Sequence, residues 1–315
     1  MTDAMRRYIA RRLALMVPTF LGITLLTFAV AQLAPGDPFQ LDLETTGASA
    51  DAIAQQRAKE GLDAPLPVQF GRWVSRVVRF DFGRSFVDQR PVAEKLGEAA
   101  PRTVLVAGLA LLLGFGLAIP LGVLLAVAAR RWWARALSVL LVAAWSVPSF
   151  WLAVILLMLF ASPRFFDWFP VQGLEQGGVV LPVICLTWPT LIVATRQVRA
   201  AMQEALAQDY VQAARARGIP EGRVIWHHAL RNSLLPVVTM FGLHLPHLVG
   251  GSVVIERIFG IPGMGLLAFD AIGTRDYPTV MGAATVMALA TMLSMLLVDL
   301  AYGFIDPRIR LERAA

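Results

Sequence analysis

Two histidines, His244 and His247, stand three positions apart in an apolar stretch, with Pro246 between them. At that spacing the imidazoles share a helical face, and two imidazoles can bind a soft or borderline metal. Completing such a site takes a carboxylate or thiolate, and the only neighbour is Glu256, two or three turns further on. The reading is therefore no metal. His244, His247 and Glu256 are candidates for lining a polar path, since ionisable groups in apolar helices face interiors. Direct substrate contact is the alternative. His227 and His228 are adjacent, so their rings are expected to point apart, as at an interface or surface. Asp299 is a lone acid near one end of the last apolar run, and a proton relay needs a second acid that no other run supplies. Cys185 is the single cysteine and lies in an apolar run, which excludes an intrachain disulfide and a thiolate cluster.

Absences narrow the chemistry further. Lys59 and Lys95 are the only lysines, and neither follows a glycine-rich loop, so the chain carries no phosphate cradle of its own. Asp81-Phe82-Gly83 matches a kinase tripeptide without the accompanying catalytic loop. There is no His-Glu-x-x-His and no Gly-x-Ser-x-Gly. A membrane enzyme is the poorest fit, because no nucleophile and base come together. No catalytic residue and no cofactor is expected in this chain.

What remains is a polar island, Arg196 to Arg231, set between apolar segments. Glu204–Ala216 is rich in Ala, Gln and Arg, which favour helix. Gly218 can take the left-handed conformation that ends a helix, and Pro220 prevents continuation. Val224, Ile225 and Leu230 suggest a second short helix. Tyr210, Ala214 and Arg217 recur at i, i+4, i+7, so they share one face. Small alanines beside an aromatic and an arginine suit a helix laid in another protein's groove. The alternative is an amphipathic helix resting on the bilayer surface.

The elements that must hold this island are membrane spans. The chain has 315 residues, of which 57% are hydrophobic and only 16% charged, well below the quarter charged of a soluble domain. Its mean hydropathy is +0.63. A bilayer core of about 30 Å takes about 20 helical residues. Spans are expected near residues 13–34, 103–129, 136–161, 179–195, 233–255 and 279–304. Continuous apolar runs, rather than alternation, make them helices. A signal peptide is the weaker expectation for the first run, because the run is too long and Pro35 follows Ala34, the one plausible cleavage position. The N-terminal arginines, Arg130/Arg131/Arg135, the 196–231 loop and Arg308/Arg310/Arg313 alternate in phase with six spans, so both termini are expected to be cytoplasmic. The segment 35–100 is too long for that rule, and its acids largely offset its bases. The net charge of +6 therefore reflects topology, with no case for nucleic acid.

The organisation expected is a cytoplasmic N-terminus and first span (1–34), an extracytoplasmic subdomain (35–100), and a membrane-spanning core that carries the 196–231 loop (101–315). In the subdomain, Ser49 can cap a helix through about Gly61. Pro65 and Pro67 break the chain, Gln69–Arg79 can form a helix with Phe70, Trp73, Val74 and Val77 on one face, and Pro91 opens a helix over Val92–Leu96. The loop Glu256–Pro278 holds Gly260-Ile261-Pro262-Gly263-Met264-Gly265 and then an apolar stretch, Leu266–Ile272, that can dip back toward the membrane.

The loop resembles the signature of ABC-importer permease subunits: Glu-Ala-Ala, three residues, Gly, nine residues, then Ile-x-Leu-Pro. Its counterparts here are Gln212, Ala213, Ala214, Gly218, then His228, Leu230 and Arg231; the Glu, Ile and Pro positions depart from the pattern. Asp209-Tyr210-Val211, Arg11-Arg12, Leu33 to Pro38, Asp81 to Ser85, Pro148-Ser149-Phe150-Trp151, Arg275 to Pro278 and Asp306-Pro307-Arg308 resemble the dipeptide/oligopeptide/nickel branch, in order along nearly the whole chain. The resemblance implies an all-α polytopic membrane protein of about six spans with the type I importer-permease fold, in a bacterial-type inner membrane. It implies a homologous second permease, two P-loop ATPase subunits that hold the ATP and Mg, and an extracytoplasmic substrate-binding protein. Tyr210, Gln212, Ala213, Ala214, Arg217 and Gly218 would form the coupling helix. Peptides are the implied cargo. Relatives also carry nickel, glutathione-like or sugar-type solutes, and a stand-alone channel or carrier is the reading from another class.

Overall fold

The computed structural model describes residues 3–33, 58, 61 and 63–305; the helix expected from Ser49 lies almost wholly outside them. Among the described residues there is no strand, only an isolated bridge between Arg84 and Pro91. The helices are α1 (Asp3–Leu33), α2 (Leu66–Val77), α3 (Val92–Val127), α4 (Trp132–Trp145), α5 (Ser149–Phe160), α6 (Val180–Leu206), α7 (Asp209–Ala216), α8 (Leu230–His244), α9 (Val253–Ile258), α10 (Met264–Gly273) and α11 (Tyr277–Ile305). Four, within α1, α3, α6 and α11, are long and apolar enough to cross a membrane, and two bent pairs raise the number to six.

The bends revise two expected spans. Residues 136–161 are not one rod: α4 and α5 meet at 97°. Pro148 has no N–H to donate, and its ring disfavours helical geometry at Val147, so α4 ends at Trp145. Residues 233–255 are interrupted as well. The helical segments flanking Leu235 are bent by 54° next to Pro236, and Gly251 turns the chain at φ +63° before α9 begins. Conversely, Val92–Leu96 is no separate helix. It is the first turn and a half of α3, whose 36 residues run through Glu98, Ala99 and Ala100 without a stop. Helix α2 starts at Leu66, because Pro67 fits the first turn, where a backbone N–H has no partner to lose.

The described chain divides into two units. In one, residues 103–261 with the chain after 292, α3 and α6 cross through small residues. A side-chain carbon on Gly114 would lie 2.9 Å from Thr190, and one on Gly122 would lie 2.6 Å from Val198. Ala118, between them, is fully buried, and Thr187 Oγ1 donates to the Ala110 carbonyl at 3.3 Å. The contacts advance together along both helices, so α3 and α6 run parallel, as two spans with a single crossing, the α4–α5 pair, between them must. Close approach of small residues is how apolar helices gain packing contacts in lipid, where burial from water drives little. One core joins Phe115, Val198, Met202, Val211, Val224 and Val237, and a second joins Val106, Leu181, Cys185, Ile255, Phe259 and Ile261.

The other unit comprises the chain up to Arg102 and Pro262–Met292. Helix α2 lies against α1 through Phe70 and Phe28, ring centroids 5.4 Å apart, and through Gln32 and Gln69. Trp73 and Val77 are buried, as its apolar face requires. The start of α11 presses on the start of α3, where Gly282 leaves room for Val92, Phe82 and Leu96.

Candidate functional site

The polar island folds as the end of α6, the helix α7, a turn at Glu221–Arg223, a π-helical turn at Val224–Ala229, and the start of α8. Helix α7 stops where the sequence requires. Gly218 sits at φ +75°, its N–H donates to Arg215 O at 2.9 Å, and Ile219 N–H donates to Ala214 O at 3.3 Å. These paired bonds are a Schellman end, which satisfies carbonyls that the helix leaves open. Beyond Pro220, Glu221 accepts a forked bond from the Arg215 guanidinium, at 2.6 and 3.1 Å. Those bonds hold the Glu221 carboxyl below its usual range and raise Arg215.

Which face of α7 is presented corrects the sequence reading. Ala214 does not share an open face with Tyr210 and Arg217: it is 6% exposed and packs, with the fully buried Val211, into the core that contains Met202, Ala205 and Val224. The i, i+3 pair Val211/Ala214 is the inward stripe. Tyr210 is 40% exposed, and Gln212, Ala213, Arg217 and Gly218 are open as well. The periodicity could not separate these choices, because alanine suits both a buried contact and a partner's groove. His227 and His228, expected to diverge, lie with ring centroids 5.6 Å apart, edge to face. The wider π-helical turn alters the angle between successive side chains.

The structure brings His244 and His247 together, ring centroids 6.0 Å apart, with Phe115 at the edge of His244. His244 is half-buried and His247 exposed. Glu256 is buried, 5% exposed, and accepts from Thr103 Oγ1 at 2.8 Å. A side-chain carbon on Gly251 would meet its Oε1 at 2.2 Å, so the glycine is needed to admit the carboxylate. Glu256 thus ties the turn after residue 250 to the start of the α3 span. Among the described residues no three His, Cys, Asp or Glu gather to hold a metal.

A polar cluster that the sequence did not reveal lies in the unit of Met1–Arg102 and Pro262–Met292. Asp276, 1% exposed, accepts from Ser85 Oγ at 2.5 Å, Thr279 Oγ1 at 2.6 Å and the Phe86 N–H at 3.0 Å. Lys95 Nζ lies 3.7 Å from the same carboxylate and 3.0 Å from Asp88, and donates to Ser85 Oγ at 3.1 Å. Burial pushes the Asp88 carboxyl up, but its bonds from Lys95 and Ser85 prevail and hold it lowered. Asp81-to-Ser85 and Arg275-to-Pro278 stood out as separate blocks; the pairing of Ser85 with Asp276, 191 positions apart, has no local signature.

Comparison with known proteins gives this arrangement its family. Residues 118–311 match the model of the binding-protein-dependent transport system inner membrane component, and residues 5–107 match that of its N-terminal region. The chain belongs to this family of ABC-transporter permeases. Among the permease's relatives is the oligopeptide transport system permease protein AppB of Bacillus subtilis, 36% identical over 97% of this chain and 99% of the relative. The glutathione transport system permease protein GsiC of Salmonella paratyphi A is 37% identical, covering 97% and 99%. The permease is a non-catalytic, multi-pass membrane subunit of the type I importer fold.

Proposed function

We propose that this permease forms half of the translocation path of an ATP-driven importer of di- or oligopeptides and receives the ATPase stroke through α7. The observation that carries the reading is the construction of α7. Its inner face is locked into the core between α6 and α8, its end is fixed by Gly218, and Tyr210, Gln212, Ala213 and Arg217 are left open. A push on that surface is delivered to α6 and α8 rather than absorbed by a slack loop. Relatives named for oligopeptide transport, aligned end to end, supply the cargo class.

The partners are a homologous second permease, two ATPase subunits that carry the ATP and Mg, and an extracytoplasmic binding protein. Both termini and the 196–231 loop face the cytoplasm of a bacterial-type cell, and residues 35–100 with the Glu256–Pro278 loop face outward, toward the binding protein. Ala214 supports α7 from within and is not a contact to the ATPase. His244 and His247 line the path. The glutathione permease relative favours a second reading of the cargo, a small γ-linked tripeptide.

The test is to purify the tagged chain from its native membranes in mild detergent and identify what accompanies it by mass spectrometry. Recovery with a second permease and P-loop ATPases supports the importer. Recovery alone, in a form that transports after reconstitution without ATP, would sink it in favour of a channel or carrier. In the reconstituted complex, competition between a labelled peptide and glutathione separates the two cargo readings.

A further inference from the structure

A cleft of about 90 Å³ opens in the unit of Met1–Arg102 and Pro262–Met292, between the end of α1, helix α2, the loop after α2 and the start of α11. Arg72, Arg76 and Arg84 line it, and none of the described residues lining it is acidic. Arg72 and Arg76 are one turn apart on α2, where like charges repel. Arg84 spends one donor on the Gln89 carbonyl at 2.8 Å, and its remaining guanidinium donors stay open to another acceptor. Trp73 lines the same cleft. It is 8% exposed, and its indole Nε1–H is buried with no acceptor among the described residues, a state that a buried donor rarely keeps. Three guanidinium groups and an orphaned N–H around one small space call for an oxyanion, which a guanidinium fork binds with two parallel bonds.

The position of the cleft narrows the ligand. Phe28 and Gln32 belong to the last turns of the α1 span, and Pro278 and Met281 to the first turns of the α11 span. The cleft therefore lies where two apolar spans end, at the depth of lipid headgroups, where tryptophan is also enriched. Only 11% of the α1 span is buried inside the chain. We propose that this cleft binds a phosphate group at headgroup depth, through Arg72, Arg76, Arg84 and the Trp73 N–H.

The test uses the full chain in detergent micelles, examined by native mass spectrometry with added phosphatidylglycerol and, separately, with inorganic phosphate. Wild-type chain is expected to retain the probe. The double variant Arg72→Gln/Arg76→Gln should weaken retention about tenfold or more, the scale of charge-assisted bonds to a phosphate. Trp73→Phe keeps the ring, removes the N–H and should weaken retention to a smaller degree. Arg79→Gln, one turn further along and outside the cleft, should leave it unchanged. Arginine-dependent binding of the lipid without binding of inorganic phosphate identifies a headgroup site; arginine-dependent binding of inorganic phosphate identifies a free-anion site. Equal retention by wild type and the double variant, or an equal loss in Arg79→Gln, would overturn the proposal. The readout involves no transport, so it stands or falls apart from the importer reading.

Discussion

Asp276 and Gly218 show two ways in which a single residue is constrained here. Asp276 is a buried charge that is tolerated because three donors and Lys95 surround it. Removing one member of such a set leaves the others desolvated and unpaired, at a cost of about 3–5 kcal/mol. Asp276→Ala should therefore lower the apparent melting temperature of the detergent-solubilised chain sharply, and Asp276→Asn less; a melting curve unchanged by the alanine would show that the cluster is not structural. Gly218 is constrained by backbone alone. Nothing lies within 4 Å of where a side-chain carbon would sit, so only its φ of +75° matters, worth about 1–2 kcal/mol for an ordinary L residue. Gly218→Leu should insert normally, abolish uptake and leave ATP hydrolysis uncoupled in the reconstituted complex. Gly218→Asn should retain more uptake, because asparagine tolerates that conformation. Equal uptake by all three would remove α7 from the coupling. The Arg215–Glu221 pair is a milder case. Because the Glu221 pKa is lowered on folding, its contribution is present above the ordinary glutamate range and is lost as pH falls through the folded value. With the side chains 40% and 55% exposed, solvent screening limits it to about 0.5 kcal/mol. Glu221→Gln should shift melting little at neutral pH and not at all in acid.

At the scale of elements, the crossing of α3 on α6 sets how closely the two parallel spans approach. Gly122 faces Val198 and the Thr195 carbonyl at 2.6 and 2.9 Å from an added carbon. Gly122→Val should force the helices apart, at about 1–3 kcal/mol for overpacking. Val198→Ala in the same chain should restore part of that loss; melting and yield after extraction measure both. A Gly122→Val chain as stable as wild type would mean that the crossing is slack. The bends at Pro148 and near Pro236 act differently. They make short helices from residues that composition alone assigns to single spans, and the kinked segment near Pro236 precedes His244 and His247.

For the whole molecule, the decisive quantity is orientation. Cys185 is fully buried, so the native thiol gives little background labelling. Ala213→Cys on α7 should react with a membrane-impermeant maleimide only after cells are opened, and Gln89→Cys in the outer segment should react on intact spheroplasts. The reverse pattern would invert the topology and remove α7 from reach of an ATPase. Positive charge in short loops sets such an orientation during insertion, and the placement of the arginines is the ground for the expected labelling pattern.

Periodicity and composition by themselves determined the helical class, the four unbroken spans and the helix–Gly218–Pro220 stop, because each depends on neighbours within a turn or two of chain. The amphipathic face of α2 was legible for the same reason. Sequence could not decide which face of α7 turns inward, since Val211 and Ala214 are buried by Met202, Ala205 and Val224, residues of other elements. Nor could it decide that Glu256 binds Thr103 instead of joining the histidines, or that Ser85 finds Asp276. Those pairings join positions more than a hundred residues apart, and only packing in three dimensions determines which buried donor meets which buried acceptor.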